Sequence, residues 1–480
     1  MNTETRQRIE AYLRDQMANA DATARSYVYD SSGRKLLNRN IFVKLRSHAQ
    51  RFLDGDQSQS WCVVTGLRGA GKTTVLMQLF SVIQSSQADR LYISVDKITQ
   101  LLGVSLYDVL RVYEDISGVA FERRTQPLFL FIDEAQYDPK WGVTLKDVYD
   151  RARHKVFIFT TGSAALALNM NSDVARRPTF EKMYPLSFTE YMKLKHGKTE
   201  VKGLCKEIRD ALFTQTHAQE VYEMVRALEP KIQKYLLNID RHEFDTYLTT
   251  GSLPSVLMVR QPMAIYERVQ KSLERIINSD IARLYSFRTD TVRRIATVLY
   301  VLASADQVSY ESLSKQPVEL DRHTAKEVLD ALVQTETLIR VQAFTGSHIA
   351  QVRQPSKYHF MAPVFRAAYF STVGSVLSPE TERGKLLEDF VVATLYRVLS
   401  VVPTAFITYD AQMGGADFVF GSEHRKIVLE VGSGTKGSRQ VEKTMNKTGA
   451  NYGLVVSRSE LRLDEERDIV YIPIQYFALA

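Results

Sequence analysis

The sequence predicts an α/β fold organised on a mainly parallel sheet, and three stretches carry that expectation. The first is Trp61 to Phe80, WCVVTGLRGAGKTTVLMQLF. It joins an apolar β-branched run to a loop with glycines at Gly66, Gly69 and Gly71, then to an apolar helical pattern at Val75, Leu76 and Leu79. The second is LFLFID, Leu128 to Asp133, an apolar run of strand length ending in two carboxylates, Asp133 and Glu134. The third is Val156 to Thr160, closed by Thr161, Gly162 and Ser163. Continuous apolar runs of this length read as strands covered on both faces, as in parallel sheets flanked by helices.

The first stretch fits G-x-x-x-x-G-K-[ST] in the setting that motif requires, strand then loop then helix. The chemistry needs these residue types. Gly66, Gly69 and Gly71 let the backbone turn so that successive N–H groups face phosphate oxygens. The helix that follows adds partial positive charge at its start, and Thr74 lies in its first turn. Lys72 can reach the β- and γ-phosphates, and the Thr73 hydroxyl can ligate Mg²⁺. A nucleotide with β- and γ-phosphates and Mg²⁺ are therefore the expected ligands. Active groups in a parallel sheet gather at the carboxyl ends of its strands. That places Asp133 to hold Mg²⁺ and Glu134 to orient or deprotonate the attacking water.

The other elements follow in chain order. Residues 1–60 read as a helical segment, with an amphipathic pattern over Ile41 to Leu53. Arg90 to Val95 reads as a strand followed by Asp96, and a helix is expected over Ser105 to Ala120. A small polar residue after the third apolar run, Thr161 or Ser163, is a candidate to contact the γ-phosphate or the attacking water. Beyond Asn171 come Arg176 and Arg177, either a candidate to stabilise phosphoryl charge in cis or on a neighbouring subunit. Phe180 to Leu186 is expected as the last strand of a five-stranded nucleotide-binding core over 61–192.

Residues 193–290 read as helical, broken at GSLPS (Gly251 to Ser255), and are expected to form a lid. Residues 291–356 carry the spacing of a winged helix, with helices at Val292 to Leu302, from Tyr310, and at Arg322 to Thr335. A strand follows at Leu338 to Phe344. The third helix would be the DNA-reading one. Its Arg322, His323 and Lys326 are offset by Glu327 and Asp330, a poor phosphate footprint. Residues 357–380 read as a loop-rich connector, and a last α/β domain occupies 381–480. There Glu388 lies on a helix, Asp417 opens DFVF and Glu430 lies near the end of KIVLEV, so the acids of the two strands, Asp417 and Glu430, could share a Mg²⁺ ion.

Composition bounds the function. At 480 residues the chain holds several domains, and a net charge of +7 permits nucleic-acid contact without arguing for it. Two cysteines exclude a disulfide framework and a cysteine-rich zinc site. The opening MNTETRQRIEAYLRDQM has charges throughout and no apolar core, so no signal peptide is expected. No apolar run is long enough to span a bilayer. A cytoplasmic protein without a membrane partner is expected.

GLRGAGKTT, LFLFIDEAQ, FTTGSAAL and YPLSFTEY together resemble a bacterial and archaeal family of AAA+-related P-loop ATPases. Members of that family continue into a helical lid, a winged helix and a restriction-endonuclease-like domain. The resemblance implies that Lys72, Thr73, Asp133 and Glu134 bind and hydrolyse ATP, that Ser163 acts as a sensor, and that Arg176 or Arg177 supplies the arginine of the family's "GR" step. The C-terminal part is similar to the PD-(D/E)XK nuclease fold, with Glu388, Asp417 and Glu430 in the acidic positions. It departs at the third motif, where Gly432 replaces the lysine, and Lys436 or Gln440 would have to substitute. The expected function is Mg²⁺-dependent ATP hydrolysis driving a conformational switch, with a degenerate C-terminal domain as the binding or effector module. The alternatives are an ATP-regulated endonuclease and a DNA-binding regulator using the winged helix. Expected partners beyond ATP are DNA or RNA, a protein, or further copies of the chain.

Overall fold

The computed structural model describes residues 1–480 apart from 57, 85, 153, 168–171, 306, 346–347, 375–376, 403, 423–424 and 433–437, and apart from the side chains at 165, 167, 172, 348, 352–353 and 372–373. The chain divides into two compact units, Met1–Tyr184 and Pro185–Ala480.

The first unit opens with helices α1 (Thr3–Val28) and α2 (Ile41–Leu53). Strand β1 (Trp61–Gly66) leads into α3 (Lys72–Val82), then β2 (Asp89–Ser94), α4 (Leu106–Ser117), β3 (Leu128–Asp133), α5 (Trp141–Ala152), β4 (Val156–Gly162) and β5 (Thr179–Met183). The strands form one five-stranded sheet in the order β2-β3-β4-β1-β5, with every pairing parallel. The last strand stops at Met183, short of the expected Leu186, because Pro185 has no N–H to give a ladder.

The apolar runs behave as double-sided strands. Leu128, Leu130 and Ile132 of β3 face a core with Val63, Leu91, Ile158 and residues of α4 and α5. Phe129 and Phe131 face the opposite core with Phe157, Phe159 and residues of α2 and α3. There Phe129 stacks on Phe157 at 5.6 Å and Phe131 on Phe159 at 5.6 Å, with Phe52 of α2 edge-on at 5.4 Å to Phe129. Such offset and edge contacts add to the area buried. The long helix α1 gives Ile9 and Leu13 to the first core and Ala24 to the second.

The second unit begins with helices α6 (Phe188–His196), α7 (Leu204–Phe213) and α8 (Ala218–Leu236), and continues through α9 (Pro262–Arg275) and α10 (Thr289–Ser304). The GSLPS stretch is a packing knot. A Cβ at Gly251 would lie 2.3 Å from the Tyr191 ring. The carbonyl of Ser252 accepts from the Leu186 N–H at 2.9 Å, and its hydroxyl accepts from the Val364 N–H at 3.2 Å. So two motifs far apart in sequence, PLSFTEY and GSLPS, meet.

Strand β6 (Gln307–Val308), α11 (Tyr310–Leu313), α12 (Arg322–Gln334), β7 (Leu338–Ala343) and β8 (Ser356–Phe360) come next. Asp321 caps α12 by accepting from the His323 and Thr324 amides. The stretch read as a connector, 357–380, instead carries β8 and α13 (Pro363–Val373). Tyr358, His359 and Phe360 are all buried in β8, and β7 supplies an antiparallel partner that the sequence alone does not reveal. The remainder is α14 (Pro379–Leu399), β9 (Phe406–Tyr409), β10 (Phe418–Ser422), β11 (Arg425–Val431), α15 (Arg439–Thr448), β12 (Tyr452–Ser457), β13 (Arg462–Asp464) and β14 (Ile469–Pro473). Strand β9 pairs in parallel with β7, so a single nine-stranded sheet runs through both segments, in the order β13-β14-β12-β11-β10-β9-β7-β8-β6.

A buried ion pair ties this unit together. Arg366 of α13 donates to both oxygens of Asp389 on α14, at 2.6 and 2.9 Å, and to the carbonyls of Leu302 and Ala303 that end α10. Asp389 also accepts from the Phe360 N–H at 3.0 Å. Desolvation would raise the Asp389 pKa, but the Arg366 guanidinium and the adjacent His359 together outweigh it and hold the carboxyl below its ordinary range.

Candidate active site

The site of the first unit is set by strand order. Strand β4 lies between β1 and β3, so its end stands between the glycine loop and the carboxylates. The register puts Val64 opposite Thr161 and Ile132 opposite Thr160, which brings Thr161 level with Asp133. The loop reaches α3 through Gly71, at φ +90°, a left-handed conformation that an L side chain adopts only at a cost. Gly66 is needed for a different reason: a Cβ there would lie 2.1 Å from the Met183 carbonyl oxygen on β5. Arg39, almost wholly buried, braces the loop by donating to the Ala70 carbonyl at 2.8 Å and the Tyr184 carbonyl at 2.9 Å.

Lys72 begins α3 and is only 7% exposed. Its ammonium donates to the carbonyls of Gly66 at 2.9 Å and Leu67 at 3.1 Å. Thr73 follows, and its hydroxyl donates to Asp133 Oδ2 at 3.0 Å. Thr74 is half-buried in the same turn. Asp133 is nearly inaccessible and also accepts from the Tyr92 hydroxyl at 3.1 Å and from the Thr161 hydroxyl. Burial, reinforced by the neighbouring Glu134 charge, pushes its carboxyl up to about 6, and the three hydroxyl donors offset part of that. The donor set fits Mg²⁺ and a nucleotide phosphate. A hydroxyl and a carboxylate in contact are hard oxygen ligands, and the lysine ammonium lies on loop carbonyls whose place phosphate oxygens can take.

Glu134 departs from the strand with φ +54° and ψ +44°. For a residue with a side chain this left-handed conformation costs roughly 1–2 kcal/mol, and such outliers cluster at functional sites. Its amide donates to the Thr161 hydroxyl at 3.2 Å, and its carboxylate accepts from the Gln136 amide. Ser163 is buried just past β4. Sequence reasoning named Thr161 and Ser163 at this strand end, with Ser163 singled out by the resemblance, and passed over Tyr92, Gln136 and Arg39. Nothing local marks those three, because their roles come from register and packing.

The two arginines differ. Arg177 is held by Asp150 on α5 through a two-point contact at 2.9 and 3.1 Å, and by Asp173 at 3.2 Å. Arg176 is exposed.

In the second unit Asp417 and Glu430 adjoin. The Asp417 amide donates to Glu430 Oε2 at 3.3 Å, and the Val431 amide donates to Asp417 Oδ2 at 2.9 Å. The Lys357 ammonium, from β8, stands 3.9 Å from Asp417 Oδ1. Gln440 donates to the Gly415 carbonyl at 3.4 Å, and Lys436 lies outside the described residues. Among the described residues, no group of three His, Cys, Asp or Glu side chains is arranged to hold a metal ion, so Glu388 does not complete a three-acid cluster with Asp417 and Glu430. Glu388 is half-buried; the next residue on α14, Asp389, is the one turned wholly into the core. Also among the described residues, no helix is long and apolar enough to cross a membrane.

Comparison with known proteins places this geometry. An AAA domain model matches residues 58–192, and a domain of unknown function (DUF8612) matches residues 241–370. The uncharacterized protein MJ1637 of Methanocaldococcus jannaschii is 31% identical over 441 residues, covering 91% of this chain and 88% of its own. Among solved structures, the Walker-type ATPase PABY2304 of Pyrococcus abyssi aligns at 12% identity and a TM-score of 0.37, over 68% of this chain and 95% of its own. The Aeropyrum pernix ORC1 protein in complex with DNA aligns at 12% identity and a TM-score of 0.30, over 70% and 94%. Likenesses that distant assign no function. With its AAA domain and complete phosphate-binding loop, the chain is an AAA+-related P-loop ATPase, and it belongs to the same family as MJ1637.

Proposed function

We propose that the protein hydrolyses ATP with Mg²⁺ and uses the nucleotide state as a conformational switch. The observation that supports this best is the convergence of Lys72, Thr73, Asp133, Thr161 and Glu134 at the carboxyl ends of β1, β3 and β4. A bound nucleotide would supply the electrophilic phosphorus, and a cation held by Thr73 and Asp133 would offset charge on its phosphates. The chain does the rest. Loop amides from Gly66 to Thr74 bind the phosphates, and Lys72 exchanges its loop carbonyls for phosphate oxygens. Thr73 and Asp133 hold the cation. Glu134 takes the proton of the attacking water, and Ser163, past β4, reads the terminal phosphate. The arginine we assign to transition-state charge is Arg176, which is exposed and can act on a neighbouring subunit, whereas Arg177 is committed to Asp150 and Asp173.

The second unit is the effector in this reading. Its segment 291–360 serves as a winged helix, and the fold beyond it as a nuclease-like docking module that contacts DNA, RNA or a protein. A second reading, an ATP-regulated endonuclease, is favoured by one observation: Lys357 stands where a cation can serve the Asp417–Glu430 pair.

The test is turnover together with nucleotide affinity. Lys72→Ala is expected to lose tight ATP binding and hydrolysis. Glu134→Gln is expected to bind ATP and turn over at least ~100-fold slower. Wild-type turnover in either variant refutes the corresponding role.

A further inference from the structure

We infer that Gln136, packed against the end of β4, is a positioning residue for the Glu134 carboxylate. The inference rests on the assignment of Glu134 as the group that activates water. Gln136 lies two residues beyond Glu134, in the single helical turn Ala135–Tyr137. Its Nε2 donates to Glu134 Oε2. The amide has one sense only: turned over, it would set its carbonyl oxygen against a carboxylate oxygen, acceptor against acceptor.

The other end of the same amide reaches β4. A Cβ on Gly162 would come within 2.8 Å of Gln136 Oε1 and 2.5 Å of Leu166 Cδ2, so the absence of a side chain at 162 makes room for it. That oxygen is buried and has no hydrogen-bond partner among the described residues. Buried acceptors in folded proteins are nearly always paired, so an orphan next to the reacting groups calls for an explanation other than packing. Glu134 is thus held at two points: its backbone N–H is bound to Thr161 of β4 at 3.2 Å, and its carboxylate is held by Gln136, whose amide packs against the end of that strand.

The consequence is chemical. Donation from Gln136 engages one carboxylate oxygen and stops the group rotating, which leaves Glu134 Oε1 to accept from a water. A base held this way needs no search for the productive geometry, and misplacement by about 1 Å costs on the order of 10²-fold in rate. The Gln136 amide engages the Glu134 carboxylate rather than the phosphate-binding loop, so it acts through Glu134.

The experiment uses the full chain and measures kcat, KM for ATP and the Kd of a fluorescent ATP analogue. In Gln136→Ala, kcat is expected to fall about 10- to 100-fold, with KM and Kd within about twofold of wild type. Gln136→Met keeps the length and packing without the donor, is the variant to use if alanine compromises folding, and should behave alike. Gly162→Ala should also lower kcat with Kd retained. The decisive measurement is the double variant Glu134→Gln/Gln136→Ala: its turnover should be no lower than that of Glu134→Gln alone, since residues acting as a unit are not additive. An unchanged kcat in Gln136→Met, an equal loss in Kd, or additive losses overturn the inference. A raised kcat does so too, since it would make the contact a brake. Wild-type turnover in Glu134→Gln would instead remove the assignment on which the inference rests.

Discussion

Replacing Asp133 with asparagine is expected to abolish Mg²⁺-dependent turnover and yet to stabilise the nucleotide-free protein. Asp133 is 3% exposed, and its carboxyl is raised from an ordinary 3.8 to about 6. Each pK unit corresponds to ~1.36 kcal/mol, so keeping this group ionised at pH 8 costs about 3 kcal/mol. The sign follows from the raised value. The stability is fully present below the unfolded pKa, where the group is protonated in both states, and is lost as pH rises through about 6. At pH 4.5 the same arithmetic leaves a cost of only about 1 kcal/mol. Asparagine removes the charge but offers one carbonyl oxygen to the hydroxyls of Thr73, Thr161 and Tyr92, which returns about 1 kcal/mol or slightly more. The net gain at pH 8 is therefore about 1–2 kcal/mol, or roughly 2–8 °C in Tm for a unit of this size. Both tryptophans, Trp61 and Trp141, are buried in the first unit with rings 6.3 Å apart, so tryptophan fluorescence, excited at wavelengths where tyrosine does not absorb, reads this unit alone during heating. A lower Tm for Asp133→Asn at pH 8, or the same shift at pH 8 and pH 4.5, would refute the reasoning.

Three further predictions test other parts of the molecule. Arg176→Ala should lower turnover with ATP affinity retained, and mixing it with Glu134→Gln subunits should restore activity if it acts across a subunit interface; no recovery, together with a monomeric mass, excludes that role. Asp389→Ala should destabilise the second unit by about 3–5 kcal/mol, because it strands the buried Arg366 guanidinium, and chemical unfolding followed by circular dichroism measures the loss. Incubated with DNA or RNA, Mg²⁺ and ATP, the protein should show weak cleavage or none. Robust cleavage that disappears in Asp417→Ala, Glu430→Ala and Lys357→Ala would establish the endonuclease reading and identify the lysine that serves it.

The nucleotide-binding core was legible in the sequence because its signals are local. A strand buried on both faces must be apolar throughout, and a phosphate-binding turn must carry glycines and a lysine in fixed succession. Lys72, Thr73, Asp133 and Glu134 could therefore be placed before any pairing was known. The contacts around them could not. Thr161 and Tyr92 reach Asp133 only because β4 and β2 lie on either side of β3, and Arg39 reaches the loop from 31 residues upstream. The second unit is less legible for the same reason. Strand β8 depends on a partner, β7, and Lys357 approaches Asp417 across a sheet that joins two segments the sequence presents as separate. The Asp389–Arg366 pair depends on which face of α14 meets α13, and residue spacing along one helix does not specify that. What the sequence determined by itself is the chemistry that needs neighbours in the chain; the tertiary structure decided every role that needs neighbours in space.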